Sequence, residues 1–446
     1  MTGRVPNRGL EGLYRETGWT LSQFAQEVNR VSTEQGRPLK YRAQSAHQWL
    51  DGHLPRDEAR PLVLEALARR LGRPVTRVEA GFPSTSSDGA NDGCGMVEDL
   101  VTTGREDMDP SRRKVLAASL YAAALPVPVY ANLVDRARGK ATGRTTRIGG
   151  GEVATVRTMT ERIADILDEL GGGHARPMAA AFLVNTVGPY LRAQASEEVR
   201  KDLMSAVSDL VYLTGWMAMY ERAHGLGQRY YLQALEFAAA GEDYVTYCRT
   251  LRGMALQAAN LKHSNKALSL ADAAAEAAPK VGPRLHAFLA GQQAHGAALV
   301  GDKRLAFTRL AETETALAKA DGRRDAIGGY DQAAYLFHVS SVRYALGDVH
   351  GSIASMRESN RVRPPVEKQG RAHANGLLAQ RQLEVGHLEA SCGTWHTFLD
   401  DYESLSSSRA DEHFGILRSS IRPYLANPQA RQVHQRARQL AHQKAI

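Results

Sequence analysis

Ala294-His295-Gly296-Ala297-Ala298-Leu299-Val300-Gly301-Asp302-Lys303-Arg304-Leu305-Ala306 places two alanines twelve residues apart, on either side of a Gly-Asp turn. The same spacing of small residues recurs at Gly215/Gly227, Ala255/Ala267, Ser340/Ser352 and Ala379/Ser391. Two helices joined by a short turn touch through one point on each, and a large side chain at either point holds them apart. Small residues at both points therefore mark helical hairpins. The second members of the five pairs are spaced 40, 39, 46 and 39 residues apart. That repeat is somewhat longer than the tetratricopeptide unit of roughly 34 residues. Val300-Gly301-Asp302, Leu346-Gly347-Asp348 and Val385-Gly386-His387 supply turns just before the second helix. From Gly150 onward nearly every segment reads as helix, with Gly, Pro or Gly-Asp between hairpins. The expectation is a TPR-like α-solenoid over residues 150–425, closed by a basic helix over 426–446.

Stacked hairpins expose a concave face built from the first helix of each pair. Counted from the small residues, the groove positions are Tyr212, Trp216, Arg249, Arg252, Phe288, His295, Phe337, Tyr344, His373 and Gln380. Aromatic rings beside Arg and His suit a peptide, or an organic ligand with an acidic group. Packing between repeats is the other use such residues have.

The chain upstream reads differently. Thr20-Leu21-Ser22-Gln23 has the form of a capping box, in which Thr20 and Gln23 each satisfy a free backbone N–H. Leu21, Phe24, Ala25 and Val28 then share one helical face. After a connection over Arg30–Lys40, Tyr41-Arg42-Ala43-Gln44-Ser45-Ala46-His47-Gln48-Trp49-Leu50-Asp51-Gly52 reads as the recognition helix of a helix-turn-helix. Ala46, Trp49 and Leu50 point inward on that helical wheel, and Gly52 with Pro55 ends the helix. Arg42, Gln44, Ser45 and Gln48 face outward with His47 beside them. Arg and Gln make paired hydrogen bonds to guanine and adenine edges in the major groove. Arg37, Lys40, Arg56 and Arg60 flank the helix as candidates for phosphate contacts. The connection is longer than the usual turn of about three or four residues, which speaks for the alternative of a small helical bundle that docks protein.

Charge is distributed by segment. Residues 1–83 carry 13 Lys/Arg against 9 Asp/Glu, residues 84–109 one Arg against seven acids, and residues 110–147 eight basic residues against Asp135. The pattern implies a basic domain over 1–83, an acidic flexible linker over 84–110 and a basic, apolar connecting segment over 111–149. Within the last, Ser111-Arg112-Arg113-Lys114-Val115-Leu116 mimics a twin-arginine export signal, but it follows a folded domain rather than starting the chain. At 446 residues the chain exceeds one core, since domains run to about 100–200 residues. No apolar run approaches the roughly 18 residues of a membrane span. Cys94, Cys248 and Cys392 are too few and too scattered for a disulfide framework, and a cytoplasmic, nucleoid-associated protein is expected.

No catalytic set emerges. Gly171-Gly172-Gly173-His174 lacks the lysine of a phosphate-binding loop, and no His-Glu-x-x-His occurs. Cys392 and His396 lie one helical turn apart near His387, a spacing that an ordinary buried Cys also produces. No enzyme activity, metal or cofactor is expected.

The chain resembles a large actinobacterial regulator family with an XRE-type helix-turn-helix and C-terminal tetratricopeptide-like repeats. Its known members are negative regulators of antibiotic production and sporulation. Tyr41–Gly52, Arg69-Arg70-Leu71-Gly72-Arg73-Pro74-Val75-Thr76 and Asp109-Pro110-Ser111-Arg112-Arg113 carry the likeness in the first half. Gly227-Gln228-Arg229-Tyr230-Tyr231-Leu232-Gln233-Ala234-Leu235, Gly328-Gly329-Tyr330-Asp331 and Thr394-Trp395-His396-Thr397-Phe398-Leu399-Asp400-Asp401-Tyr402 carry it in the second. Asp51 and His53 depart from the basic or small residues expected around the Gly. The resemblance implies an all-α regulator of secondary metabolism or differentiation. It places the recognition-helix role on Arg42, Gln44, Ser45 and Gln48 and names no ligand. The expectation drawn from the whole sequence is a protein that binds double-stranded DNA as a homodimer and holds a peptide, small-molecule or protein effector in its repeats. The alternative is a TPR adaptor that acts through protein contacts alone.

Overall fold

A computed structural model describes residues 6–34, 38–83, 95–109, 121–125, 130, 147–277, 281–320 and 330–444. Among them the fold is all-α, with a helical-repeat C-terminal region and one isolated bridge between Arg147 and Gln194. No helix among them is long and apolar enough to cross a membrane. Arg37, Cys94 and the twin-arginine-like segment lie outside the described residues.

Four helices make the N-terminal unit: α1 (Arg8–Thr17), α2 (Leu21–Glu34), α3 (Ala43–Leu50) and α4 (Arg60–Leu71). The capping box forms, with Thr20 N donating to Gln23 Oε1 at 2.8 Å and Gln23 N to Thr20 Oγ1 at 3.2 Å. Leu10, Phe24, Val28, Ala46 and Leu67 are fully buried around Trp49. The long connection is anchored by Asn29. Its side chain donates to Tyr41 O and accepts from Tyr41 N, both at 2.8 Å, and so pins the chain two residues before α3. The Tyr41 ring then meets Trp49 edge-on at 4.9 Å.

Five hairpins follow in the C-terminal region. They pair α9 (Glu197–Tyr220) with α10 (His224–Ala240), and α11 (Tyr244–Asn260) with α12 (Ser264–Glu276). Next come α13 (Pro283–Leu299) with α14 (Lys303–Ala318), and α15 (Gln332–Ala345) with α16 (Val349–Val362). The last pairs α17 (Lys368–Glu384) with α18 (Leu388–Tyr402). Each of the five small-residue pairs is buried across its hairpin. A Cβ on Gly227 would stand 3.1 Å from Gly215 O, and Ser391 Oγ donates to Ala379 O at 2.8 Å. Ser340 Oγ donates to Ser352 O at 2.7 Å, and Arg381 reaches both hydroxyls at 2.8 Å. Every hairpin turns through one residue in the left-handed region: Arg222, Lys262, Gly301, Gly347 and Gly386. They are spaced 40, 39, 46 and 39 residues apart, so the turn keeps the same period as the helix contact. Arg222 and Lys262 accept a conformation that costs a side chain energy, which hid the first two turns from a search for Gly.

Ala294 is fully buried at the α13–α14 contact. Ala294→Leu forces these helices apart and should lower the unfolding free energy by about 1–3 kcal/mol in urea titrations. An unchanged midpoint would mean that the helices do not approach there.

Within the stretch expected as an acidic flexible linker over 84–110, the described residues 95–109 are mostly helical. Met96–Met108 is a helix, α5, and its acids meet arginines of the repeat region. Glu98 receives a bidentate contact from Arg192 at 2.6 and 2.8 Å, and Glu106 pairs with Arg229 at 3.0 Å. Asp107 pairs with Arg176. Gly104 allows this packing, because a Cβ there would sit 2.7 Å from Val184 Cγ2. Acids that look solvated in sequence pair with partly exposed arginines of the repeat region instead. The segment Tyr121–Leu125 bridges the two units: Ala123 N donates to Glu65 Oε1 of α4 at 2.9 Å, and Ala122 exchanges two hydrogen bonds with Gln228 of α10.

Three helices lead into the hairpins, α6 (Gly150–Leu170), α7 (Gly172–Phe182) and α8 (Gly188–Arg192), with a π turn joining the last two. Beyond the hairpins lie α19 (Ser408–Ser420) and α20 (Pro428–Gln443). The superhelix curves until its ends meet. Ser406 N donates to Leu170 O at 2.8 Å, Gly173 N donates to Ser406 O at 2.9 Å, and Gly172 N reaches Gln369 Oε1 at 3.1 Å. The glycine run that resembles an incomplete phosphate loop is this closure.

Candidate ligand cavity and exposed helix face

The curved superhelix forms a cavity of about 840 Å³ that is partly open to solvent. That falls within the roughly 300–1,000 Å³ of small-molecule sites. Its walls are the first helices of the hairpins, with α6 laid across them. Tyr212, Trp216, Arg252, Phe288, His295, Phe337 and His373 line it, as their register in the repeat predicts. Arg249, Tyr344 and Gln380 do not, and each has a packing task instead. Arg249 pairs with Asp209 at 2.8 Å under the Tyr212 ring. Tyr344 donates to Glu384 at 3.0 Å and carries the Arg381 guanidinium on its face. Gln380 contacts Gly376 O and His413 Nδ1, both at 2.9 Å.

Sequence register alone also leaves out the α6 wall. Glu161, Asp165 and Asp168 lie on one face of that helix and line the cavity. Their spacing was a visible signal, but it equally describes a solvated helix face. Burial, reinforced by Glu367 and Asp165 and opposed by Arg363, pushes the Asp168 carboxyl up to about 7. Arg363 itself pairs with Glu367 at 2.9 Å.

The opposite pole is basic and aromatic. Arg252 is only 6% exposed. Its guanidinium lies 4.0 Å over the Phe288 ring and 5.3 Å from that of Trp216, and its Nε has no hydrogen-bond partner. Two imidazoles stand by. Burial, with Arg252 and Arg381 adding repulsion, lowers His295 to about 4. Burial likewise holds His338 well below its ordinary value, with Arg252 and His295 contributing. Both rings are therefore neutral at pH 7. His338 Nδ1 pairs with the Tyr330 hydroxyl at 2.8 Å. Gly291 makes room for that pair, since a Cβ there would be 2.4 Å from the imidazole.

The exposed face of α3 is a separate feature. Arg42, Gln44, His47 and Gln48 are exposed and Ser45 half-buried, while Ala46 and Trp49 hold the inner face. The helix starts two residues later than Tyr41, which leaves Arg42 as an extended N-cap. His47 Nδ1 meets Asp51 Oδ2 at 2.9 Å, so the acid engages the helix's own histidine. Lys40 and Arg56 are exposed. Arg60 is not free in the manner of a phosphate contact: its side chain is 14% exposed, donates to Pro55 O at 3.0 Å and pairs with Asp57.

Residues 10–83 match a family model described as the SP15 N-terminal domain. No curated protein and no solved structure matches the chain.

Proposed function

We propose that the chain is a sequence-specific transcriptional regulator, cytoplasmic and nucleoid-associated, that acts on secondary metabolism or differentiation. In this reading α1–α4 form an XRE-like helix-turn-helix unit, and α3 enters the major groove of double-stranded DNA. The TPR-like region binds an effector in its cavity and mediates self-association as a homodimer. The observation that carries the proposal is the outer face of α3. Four exposed polar side chains, two of them Arg42 and Gln48, stand on a helix whose other face is locked by Ala46 and Trp49. Such a helix presents base-reading groups without spending entropy on ordering itself at the groove. Lys40 and Arg56 beside it supply the charge that a phosphate backbone attracts. The resemblance to actinobacterial regulators points the same way.

The test is selection of genomic DNA fragments by the purified protein at physiological salt. Gln48→Ala and Arg42→Ala should each relax preference at one base pair, at a cost of about 1–3 kcal/mol. Lys40→Ala should weaken all sequences alike and reduce the salt slope by about 1. Two heads on one dimer would select half-sites about one helical turn apart, or a multiple of it. Motif-free retention that ignores all three variants would instead favour a TPR adaptor working through protein contacts.

A further inference from the structure

The cavity has one charge left over. Among the described residues that line it, Arg363 is bound to Glu367 at 2.9 Å and Arg284 donates to Tyr330 O at 2.7 Å, while Arg162 is exposed to solvent. Arg252 is buried, has its Nε without a partner, and makes no ion pair with a carboxylate among the described residues. A buried cation without a counter-ion costs several kcal/mol, a cost that a ligand of opposite charge in this cavity would offset. The surroundings specify the rest of that ligand. The Phe288 and Trp216 ring centres lie 4.0 and 5.3 Å from the guanidinium carbon, and the buried Nε–H is left without a hydrogen-bond partner. His295 and His338 stand beside it as neutral rings and add no second positive charge. Along α6, Glu161 and Asp165 disfavour a second negative charge, and Asp168, raised to about 7 by burial, is ionised only in part. The remaining lining offers aromatic faces at Trp216, Phe288 and Phe337.

We propose that the effector is a small organic monocarboxylate with a flat unsaturated body. Its carboxylate sits on the N–H edge of Arg252, and its body lies among Trp216, Phe288 and Phe337. The assignment deepens the effector role given above and rests on it. Charge complementarity selects a single negative charge: one free guanidinium matches one carboxylate, and a phosphate dianion would meet the acidic wall of α6 uncompensated. The volume of about 840 Å³ is of the size that a small organic ligand occupies.

The full-length protein is titrated with two fluorescent probes of nearly the same shape, 8-anilinonaphthalene-1-sulfonate and its uncharged parent N-phenyl-1-naphthylamine. The anion should bind at one site per chain, at least tenfold more tightly than the neutral probe. Arg252→Gln should remove that preference while leaving the neutral probe's affinity in place. Arg304→Gln, which deletes an exposed cation outside the cavity, should change neither. 1-Naphthoate should displace the anionic probe more effectively than 1-naphthyl phosphate. Arg252→Lys keeps the charge but not the flat N–H edge, so it should retain the preference at severalfold lower affinity. That variant carries the test if Arg252→Gln melts early. Equal binding of the two probes, a preference that survives Arg252→Gln, an anion affinity left at the wild-type value by Arg252→Lys, or stronger competition by the phosphate would overturn the proposal. DNA retention by the same preparations reports on the regulator role independently, so the two readings fail separately.

Discussion

Gly171→Ala should lower the unfolding free energy of the repeat region by about 2–5 kcal/mol, the sum of a backbone penalty and a steric one. Gly171 has φ +91° and ψ 167°, a conformation reserved almost wholly for glycine. A Cβ at that position would stand 2.4 Å from Ser406 O and 2.9 Å from Ser406 C. These are backbone atoms and cannot rotate away as a side chain does. Relief requires the loop between α18 and α19 to withdraw, which breaks the hydrogen bonds from Ser406 N to Leu170 O and from Gly173 N to Ser406 O. The contacts of Ser408 N and Oγ with Glu221 Oε2, at 3.1 and 2.8 Å, lie two residues away and should weaken with them. Urea titration reads the stability loss. Hydrogen exchange over residues 403–408 reads the opening, and small-angle scattering reads a wider superhelix. A variant with the wild-type midpoint and unaltered exchange would mean that the ends of the solenoid do not meet through these atoms.

The second large effect is expected at Asp107, which is 1% exposed in α5. It pairs with Arg176, and Tyr230 Oη donates to it at 3.2 Å. Asp107→Ala strands a guanidinium that is only 12% exposed and whose Nε already has no partner, together with a fully buried hydroxyl. Breaking one side of a buried ion pair costs about 3–5 kcal/mol, more than the pair itself contributes, because the remaining charge loses both water and partner. Pairing the change with Arg176→Met removes the stranded charge and should recover part of the loss. Hydrogen exchange should rise across Met96–Met108, since α5 is held by this contact along with Glu98–Arg192 and Glu106–Arg229. A single-variant loss below about 1 kcal/mol would show that the acidic helix rides on the repeats without being anchored to them.

Both predictions concern contacts between residues far apart in the chain, and that is where the reading of the sequence stopped. The hairpins were legible because their contact is local. Ala294 and Ala306, or Ser340 and Ser352, lie twelve residues apart with one turn between them, and a short turn leaves the two helices one way to pair. The groove register followed from the hairpins, which is why Trp216, Arg252, Phe288 and His295 could be assigned to one face. The capping box at Thr20 and the inward faces of Ala46 and Trp49 were legible for the same reason, since each follows from helix geometry over a few residues. Arg249, Tyr344 and Gln380 sat at equivalent positions and still left the cavity. Their side chains found Asp209, Glu384 and His413, partners that lie about 30 to 40 residues away.

Only the tertiary structure decided what the polar residues outside that register do. Glu98, Glu106 and Asp107 have the composition of a solvated tether, and no local pattern names Arg192, Arg229 and Arg176 as their partners. Asp165 and Asp168 look like a water-facing stripe until α6 is laid across the concave side. Gly171–Gly173 mimics a phosphate loop until Ser406 arrives from more than two hundred residues downstream. Helix periodicity records which face of an element is buried, but an ion pair or a close backbone approach depends on which element is brought opposite. The sequence alone therefore determined the all-helical repeat and its register. Closure of the superhelix, the acidic wall of the cavity and the solitary Arg252 within it came from curvature summed over five hairpins, a quantity that no single stretch of chain contains.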